Sequence, residues 1–168
     1  MSRIHALGWH TTYVGAVPAD YLDEVITEDH WVPFFRADAK QGTVRGLLLY
    51  RGTEPVACGN YGPARTGPSP RQSAGLVLPE GYEGWGEVIS FYTHPAEKNK
   101  GYGGMLMEEM LRRLRRDGYR DCCVMVLREN EPARRFYAGH GFAPDGSWVE
   151  VPFPRHTVCV DLRYTRKL

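Results

Sequence analysis

WGEVISFYTHPAEKNKGYGGMLMEEMLRRLRRDGYRDCCVMVL, residues 85–127, is the stretch on which the fold turns. Its first nine residues are aromatic and β-branched, and Pro95 ends them, so residues 85–93 read as a strand. Residues 101–117 read as a helix. Leu106, Met110, Leu111 and Leu114 make one apolar stripe. Glu108 with Arg112 and Glu109 with Arg113 have the spacing of ion pairs on the wet face, and Gly118 stops the helix. The run CCVMVL, residues 122–127, is apolar throughout, as in a strand covered on both faces. A strand, a helix and a strand in this order form a βαβ unit with parallel strands and a right-handed crossover.

Outward from this unit the chain reads as follows. Asn130 caps a helix with Pro132 in its first turn, and Ala133, Phe136, Tyr137 and His140 share one face of it. Residues 148–153 and 157–164 alternate like a closing hairpin. Upstream, residues 44–50 and 56–61 flank the turn signal Arg51-Gly52-Thr53-Glu54. Residues 18–26 and a segment ending near Lys40 have helical spacing. Hairpins are antiparallel, so the expectation is an α/β (α+β) fold in one domain over residues 1–168. It has a mixed, mostly antiparallel sheet of about six to seven strands with helices on both faces. Only residues 62–84, rich in Gly, Pro and Ser, look irregular, and a loop of that length is often functional.

Composition narrows the functional classes. The 168 residues carry a formal net charge of +1, without the basic excess of a dedicated nucleic-acid binder. No apolar run is long enough to span a membrane. The opening MSRIHALGWH lacks the apolar core of a secretory signal, and a cytoplasmic location is expected. Cys58, Cys122, Cys123 and Cys159 have neither C-x-x-C spacing nor a zinc-like histidine partner, so they read as reduced packing thiols. No metal site is expected.

The turn HPAEKNKGYGGML, residues 94–106, joins strand to helix. Such a turn aims unpaired backbone N–H groups along the helix axis, with the positive end of the dipole behind them. Gly101, Gly103 and Gly104 keep side chains away from that backbone, and Lys98 and Lys100 add charge. This is an anion site suited to a pyrophosphate. It is neither a P-loop, lacking Gly-Lys-Ser/Thr, nor a dinucleotide fingerprint, since Leu106 stands at the third glycine.

KNKGYGG resembles the acetyl-CoA signature of the Gcn5-related N-acetyltransferase (GNAT) superfamily, Gln/Arg-x-x-Gly-x-Gly/Ala, with Lys98 in place of the usual Gln or Arg. NEPARRFYAGHGF, residues 130–142, is similar to the family's second motif, N-x-x-A-x-x-F-Y-x-x-x-G-F, in the family's order and separation. The resemblance implies a GNAT-like domain with a central acetyl-CoA unit, and acetyl transfer from acetyl-CoA to a primary amine. It assigns the backbone of Phe91, Tyr92 and Thr93 to the pantetheine arm. Lys98 and the turn of Asn99, Lys100, Gly101, Tyr102, Gly103 and Gly104 go to the pyrophosphate, and Asn130 to the pantetheine or the splay between the parallel strands. It places Tyr137 near the CoA sulfur as the acid that protonates the thiolate, and the Thr93 N–H as oxyanion donor. Glu87 matches the position of a general-base glutamate in several members. Alternation predicts that Glu87 shares a face with Ile89 and Phe91, where partial desolvation would raise its pKa. The alternatives for Glu87 are an ion-paired strand glutamate and a group that only attracts a cation.

Two rival functions follow. A protein N-terminal acetyltransferase of the ribosomal type carries a glutamate five positions before the second motif, where this chain has Met125. A non-catalytic acyl-CoA-binding module would not need both Glu87 and Tyr137. A small-molecule amine is therefore the expected partner, without nucleic acid or membrane, and many family members are homodimers. The acceptor pocket is expected to form from the N-terminal helices, the long loop and the last hairpin. Trp31, Phe34, Phe35, Tyr82 and Trp85 are candidates for its wall.

Overall fold

The computed structural model describes residues 1–68, 77, 78 and 80–168. Its elements are α1 (Ser2–Thr12), a π turn (Tyr21–Val25), α2 (Val32–Gln41), β1 (Arg45–Arg51), β2 (Glu54–Pro63), β3 (Gly67–Pro68), β4 (Val77–Leu78), β5 (Gly86–Thr93), a 3-10 turn (Pro95–Glu97), α3 (Tyr102–Arg116), β6 (Asp121–Leu127), α4 (Glu131–Gly139), β7 (Ala143–Phe153) and β8 (Thr157–Lys167). Six strands form one sheet in the order β1-β2-β5-β6-β8-β7. Only β5 and β6 run parallel; the other neighbours are antiparallel. β3 and β4 form a separate two-stranded pair at the edges of the irregular stretch. The rest of that stretch, residues 69–76 and 79, lies outside the described residues.

Each sheet face carries its own core. On one face, α3 and α4 cover Val88, Cys122, Val124, Val126 and Tyr164, with Leu106, Met107, Met110, Leu111 and Leu114 supplied by α3. The stripe read from the sequence is thus buried, with Met107 added to it. On the other face, Ala6 of α1 and Leu22 of the π turn join Val17 and Ile26 over Leu127, Phe153 and Cys159. Cys122 and Cys123 point to opposite faces, and all four cysteines are free and buried.

Three details depart from the sequence reading. α1 was not foreseen, because Gly8 and the Thr11-Thr12 end weaken its helical signal. Gly8 is there for packing: a Cβ on it would sit 2.1 Å from Tyr92 Cδ1. Glu109 takes both Arg112 and Arg113, at 2.7 Å each, where separate pairs were expected. The third departure is in β5. Ser90 pairs with Asn60 but Val88 pairs with Tyr61, so Ile89 is an extra residue, a β-bulge. The bulge resets the alternation. Val88 and Phe91 face α3 and α4, while Glu87 turns to the opposite face, away from Phe91.

Candidate active site

β5 and β6 pair only through Gly86, Glu87 and Val88 with Cys122, Cys123 and Val124. Beyond that point they diverge, while β2 still holds the other edge of β5 as far as Thr93. The His94 N–H donates to the Val56 carbonyl at 2.8 Å. Backbone groups alternate in direction along a strand, so those of Tyr92 turn to β2 and those of Phe91 and Thr93 turn into the gap. The expectation for the pantetheine contact is corrected here: Phe91 and Thr93 offer their backbones to the gap, and Tyr92 offers only its ring, on the α1 side.

The turn after β5 is built as an anion cradle. Asn99 and Gly101 have φ of 62° and 85°, and Gly101 caps α3 with no side-chain acceptor for the first N–H groups. Lys98, Asn99, Gly101, Gly103 and Gly104 line the adjoining cavity. Gly103 also allows close packing, since a Cβ there would meet Phe136 Cε2 at 3.3 Å. Lys100 and Tyr102 do not reach the cavity wall. The Lys100 ammonium pairs with Glu97 at 3.2 Å, and Glu97 also takes Arg51 at 3.1 Å.

Across the gap, Asn130 caps α4, its Oδ1 accepting the Ala133 N–H at 3.2 Å. Its amide NH₂ is left as a donor at the cavity wall. Two turns after Asn130, Tyr137 packs edge-on against Phe136 and Phe142, with 6% of its surface exposed. Burial pushes its phenol above the ordinary value, and the Asp161 charge adds to this. It is therefore a proton-bearing group lining the cavity.

Glu87 is buried and fully engaged. Arg65 donates its backbone N–H to Oε2 (2.9 Å), Nη2 to Oε1 (2.6 Å) and Nε to both oxygens (3.0 and 3.2 Å). The ion pair weighed as one alternative for Glu87 is present, with Arg65 as its partner. A different carboxylate stands unclaimed by such a fork. Asp161 of β8 projects from the same sheet face as Cys159, lines the cavity, and is raised by burial to about 6, with nearby Arg65 pulling the other way and Glu129 adding to the rise. The phenols of Tyr13, Tyr92 and Tyr137 all feel its charge, and burial raises all three. Tyr13, Tyr92, Tyr137 and Asp161 all line the one cavity.

Sequence reasoning missed Asp161, Arg65, Tyr13 and Trp9. A signal existed for Asp161: it is a lone acid in phase with buried Cys159 in an alternating strand. The cavity, about 870 Å³, runs from the turn to an aromatic chamber walled by Trp9, Tyr13, Tyr21, Trp31, Phe34, Phe35 and Phe153. Trp31, Phe34 and Phe35, named above as candidates for the acceptor wall, line this chamber. Tyr82 and Trp85 instead pack on each other at 5.6 Å, with Arg163 3.4 Å above the Tyr82 ring. Neither lines the cavity.

Comparison with known proteins agrees with this architecture. The chain is 24% identical over 145 residues to the uncharacterized N-acetyltransferase YuaI of Bacillus subtilis, covering 83% of this chain and 71% of YuaI. Its fold matches PaiA N-acetyltransferase from Thermoplasma acidophilum, solved in complex with coenzyme A, with a TM-score of 0.69 at 15% identity, covering 99% of this chain and 90% of that one. YncA from Salmonella typhimurium, solved with its cofactor acetyl-CoA, matches with a TM-score of 0.69 at 18% identity over 99% and 86% of the two chains. The family model for the acetyltransferase (GNAT) family matches residues 8–142, and the chain belongs to that family.

Proposed function

We propose that this protein transfers the acetyl group of acetyl-CoA to the primary amine of a small molecule, by direct attack in the gap between β5 and β6. The observation that carries the proposal is the convergence of Tyr137 and Asp161 at one cavity, reached from one side by the anion cradle and from the other by the aromatic chamber. PaiA and YncA, with the same fold, were solved with coenzyme A and acetyl-CoA. Here the N–H groups at the start of α3 and Lys98 would hold the pyrophosphate. The exposed edge of β5 would hold the pantetheine, and the Thr93 N–H would receive the developing oxyanion.

An ammonium must lose a proton before it attacks. Glu87, expected as the base, has both oxygens bonded to Arg65. We assign the proton to Asp161, whose carboxyl near 6 suits a base at neutral pH, and give Glu87 the task of fixing and neutralising Arg65. The neutral amine then bonds to the carbonyl carbon. As the C–S bond breaks, Tyr137 protonates the thiolate and regains a proton from the nitrogen. The test is thiol release from acetyl-CoA with and without a panel of primary amines. Release that no amine accelerates would leave a binding module in place of an enzyme.

A further inference from the structure

We infer that the acceptor carries, at the end far from its amine, a hydroxyl group that bonds to Asn60 and Ser90. This rests on the acetyl-transfer reading above, in which Asp161 takes the amine. Asn60 is 4% exposed, and it lines the cavity together with Ser90. A buried carboxamide has an oxygen and two N–H donors to satisfy. The oxygen is served: Asn60 Oδ1 accepts the Ser90 hydroxyl proton at 2.9 Å. No acceptor for the NH₂ stands among the described residues. Its neighbour across the strand pair is Gly46 of β1, and the space a Cβ would fill there is taken by the Met1 thioether, a weak acceptor. A buried donor left unpaired is costly, so the amide is matched to an oxygen that arrives through the cavity. Ser90 has given its own proton to Asn60, which leaves its oxygen as an acceptor. One hydroxyl on the ligand can therefore take an N–H from Asn60 and donate to Ser90.

The sheet register sets how far this hydroxyl lies from the amine. Asn60 stands opposite Ser90 on β5. Asp161 stands opposite Leu127 on β6, three residues beyond Val124, the partner of Val88. Both side chains face α1. Cys58, in phase with Asn60, donates to the Met1 carbonyl, and Cys159, in phase with Asp161, lies in the core on that side. β6, the gap and β5 separate β8 from β2. At about 4.8 Å per strand neighbour the two backbones stand roughly 14 Å apart, and the side chains take up part of that. Amine and hydroxyl are thus held on the order of 10 Å apart. A short amino alcohol cannot reach both groups, and a long one can.

The experiment compares amines in which a methyl group replaces the hydroxyl: 7-aminoheptan-1-ol against octylamine, and 3-aminopropan-1-ol against butylamine. Thiol release from acetyl-CoA gives kcat/KM. Quenching of tryptophan fluorescence in the presence of CoA gives acceptor binding, since Trp9 and Trp31 stand in the wall. The long alcohol should lead its partner on the order of tenfold in both readouts, the scale of one hydrogen bond to a buried donor. The short alcohol should have no lead. Asn60→Leu keeps the volume and removes the donors, and it should erase the lead of the long alcohol. A purely structural Asn60 would weaken both members of the pair alike and leave their ratio standing. Should Asn60→Leu not fold, Ser90→Ala carries the test: it removes the group that takes the ligand's proton and should reduce the lead. The inference is overturned by octylamine matching or surpassing the long alcohol, by a lead that survives either substitution undiminished, or by acetylation confined to amines without a hydroxyl. Failure of the acetyl-transfer reading looks different: no amine releases thiol, and acetyl-CoA leaves the melting temperature unmoved.

Discussion

Glu87 and Asp161 are carboxylates on one face of one sheet, and their surroundings send them in opposite directions. Glu87 accepts four N–H contacts from Arg65. Glu87→Gln leaves the half-buried Arg65 guanidinium without its counter-charge and should lower Tm at every pH where the native protein holds the pair. Asp161 is raised to about 6 chiefly by burial. A raised carboxyl favours the folded state only while protonated, and that advantage is lost as pH rises through 6. Asp161→Asn should therefore stabilise the protein at pH 8, by up to about 3 kcal/mol, and have little effect at pH 4, as read by paired thermal melts. Kinetics separate the two again. Asp161→Asn should remove the acidic limb of kcat/KM near pH 6, and Glu87→Gln should leave that limb in place; the reverse pattern would return the base role to Glu87. Tyr137→Phe keeps the ring and should lower kcat on the order of a hundredfold while KM for acetyl-CoA moves little. Tyr137 was legible because it lies in a recognisable motif. Asp161 was not, because a lone acid in an alternating strand reads equally well as a wet edge, and only its partners across β6 and α1 show that it faces a cavity.

Elements that obey one local rule were read correctly: α3 by its apolar stripe, β6 by its continuous run, and α4 by its Asn130 cap. Elements whose form is set from outside were not. The β5 bulge at Ile89 depends on register against β2, which no pattern within β5 displays, so the predicted face of Glu87 was inverted. α1 is a helix because Gly8 lets Tyr92 lie against it, and a glycine mid-helix weakens the very signal that would announce it. Gly8→Ala places a methyl 2.1 Å from Tyr92 Cδ1. Overpacking of this kind costs about 1–3 kcal/mol, and here the ring that must yield is a wall of the cavity. The expected outcome is a lower Tm and a raised acceptor KM, with acetyl-CoA affinity retained. Gly103→Asp acts on the other side. It crowds Phe136 and puts a negative charge at the start of α3, and it should abolish any thermal shift produced by CoA while leaving the fold able to melt cooperatively. A Gly103→Asp protein still stabilised by CoA would move the phosphate site elsewhere.

At the scale of the whole molecule, the sheet is two halves, β1-β2-β5 and β6-β8-β7, whose strands meet only where Gly86–Val88 pairs with Cys122–Val124. Below that seam no strand among the described residues faces the gap side of Phe91 and Thr93. A ligand lying along the gap would supply the missing partner to β5 and bridge both halves at once. Binding selective for the folded state at a hundred times Kd adds about 2.7 kcal/mol, which for a chain of this size is a rise in Tm of roughly 5–10 °C. Any tight ligand would do as much, so the sharper expectation concerns individual amides. The N–H groups of Tyr92 and His94 point to β2, and His94 already donates to Val56 at 2.8 Å. Those of Phe91 and Thr93 point into the gap. Hydrogen exchange resolved by residue should therefore alternate along β5 in the free protein, slow at Tyr92 and His94 and fast at Phe91 and Thr93. CoA should slow the fast pair selectively and carry the effect to the first N–H groups of α3. Uniform protection along β5 before CoA is added would mean that the gap edge already has a partner. Selective slowing at Tyr92 would place the pantetheine on the wrong edge of the strand and reject the arrangement proposed for the transfer.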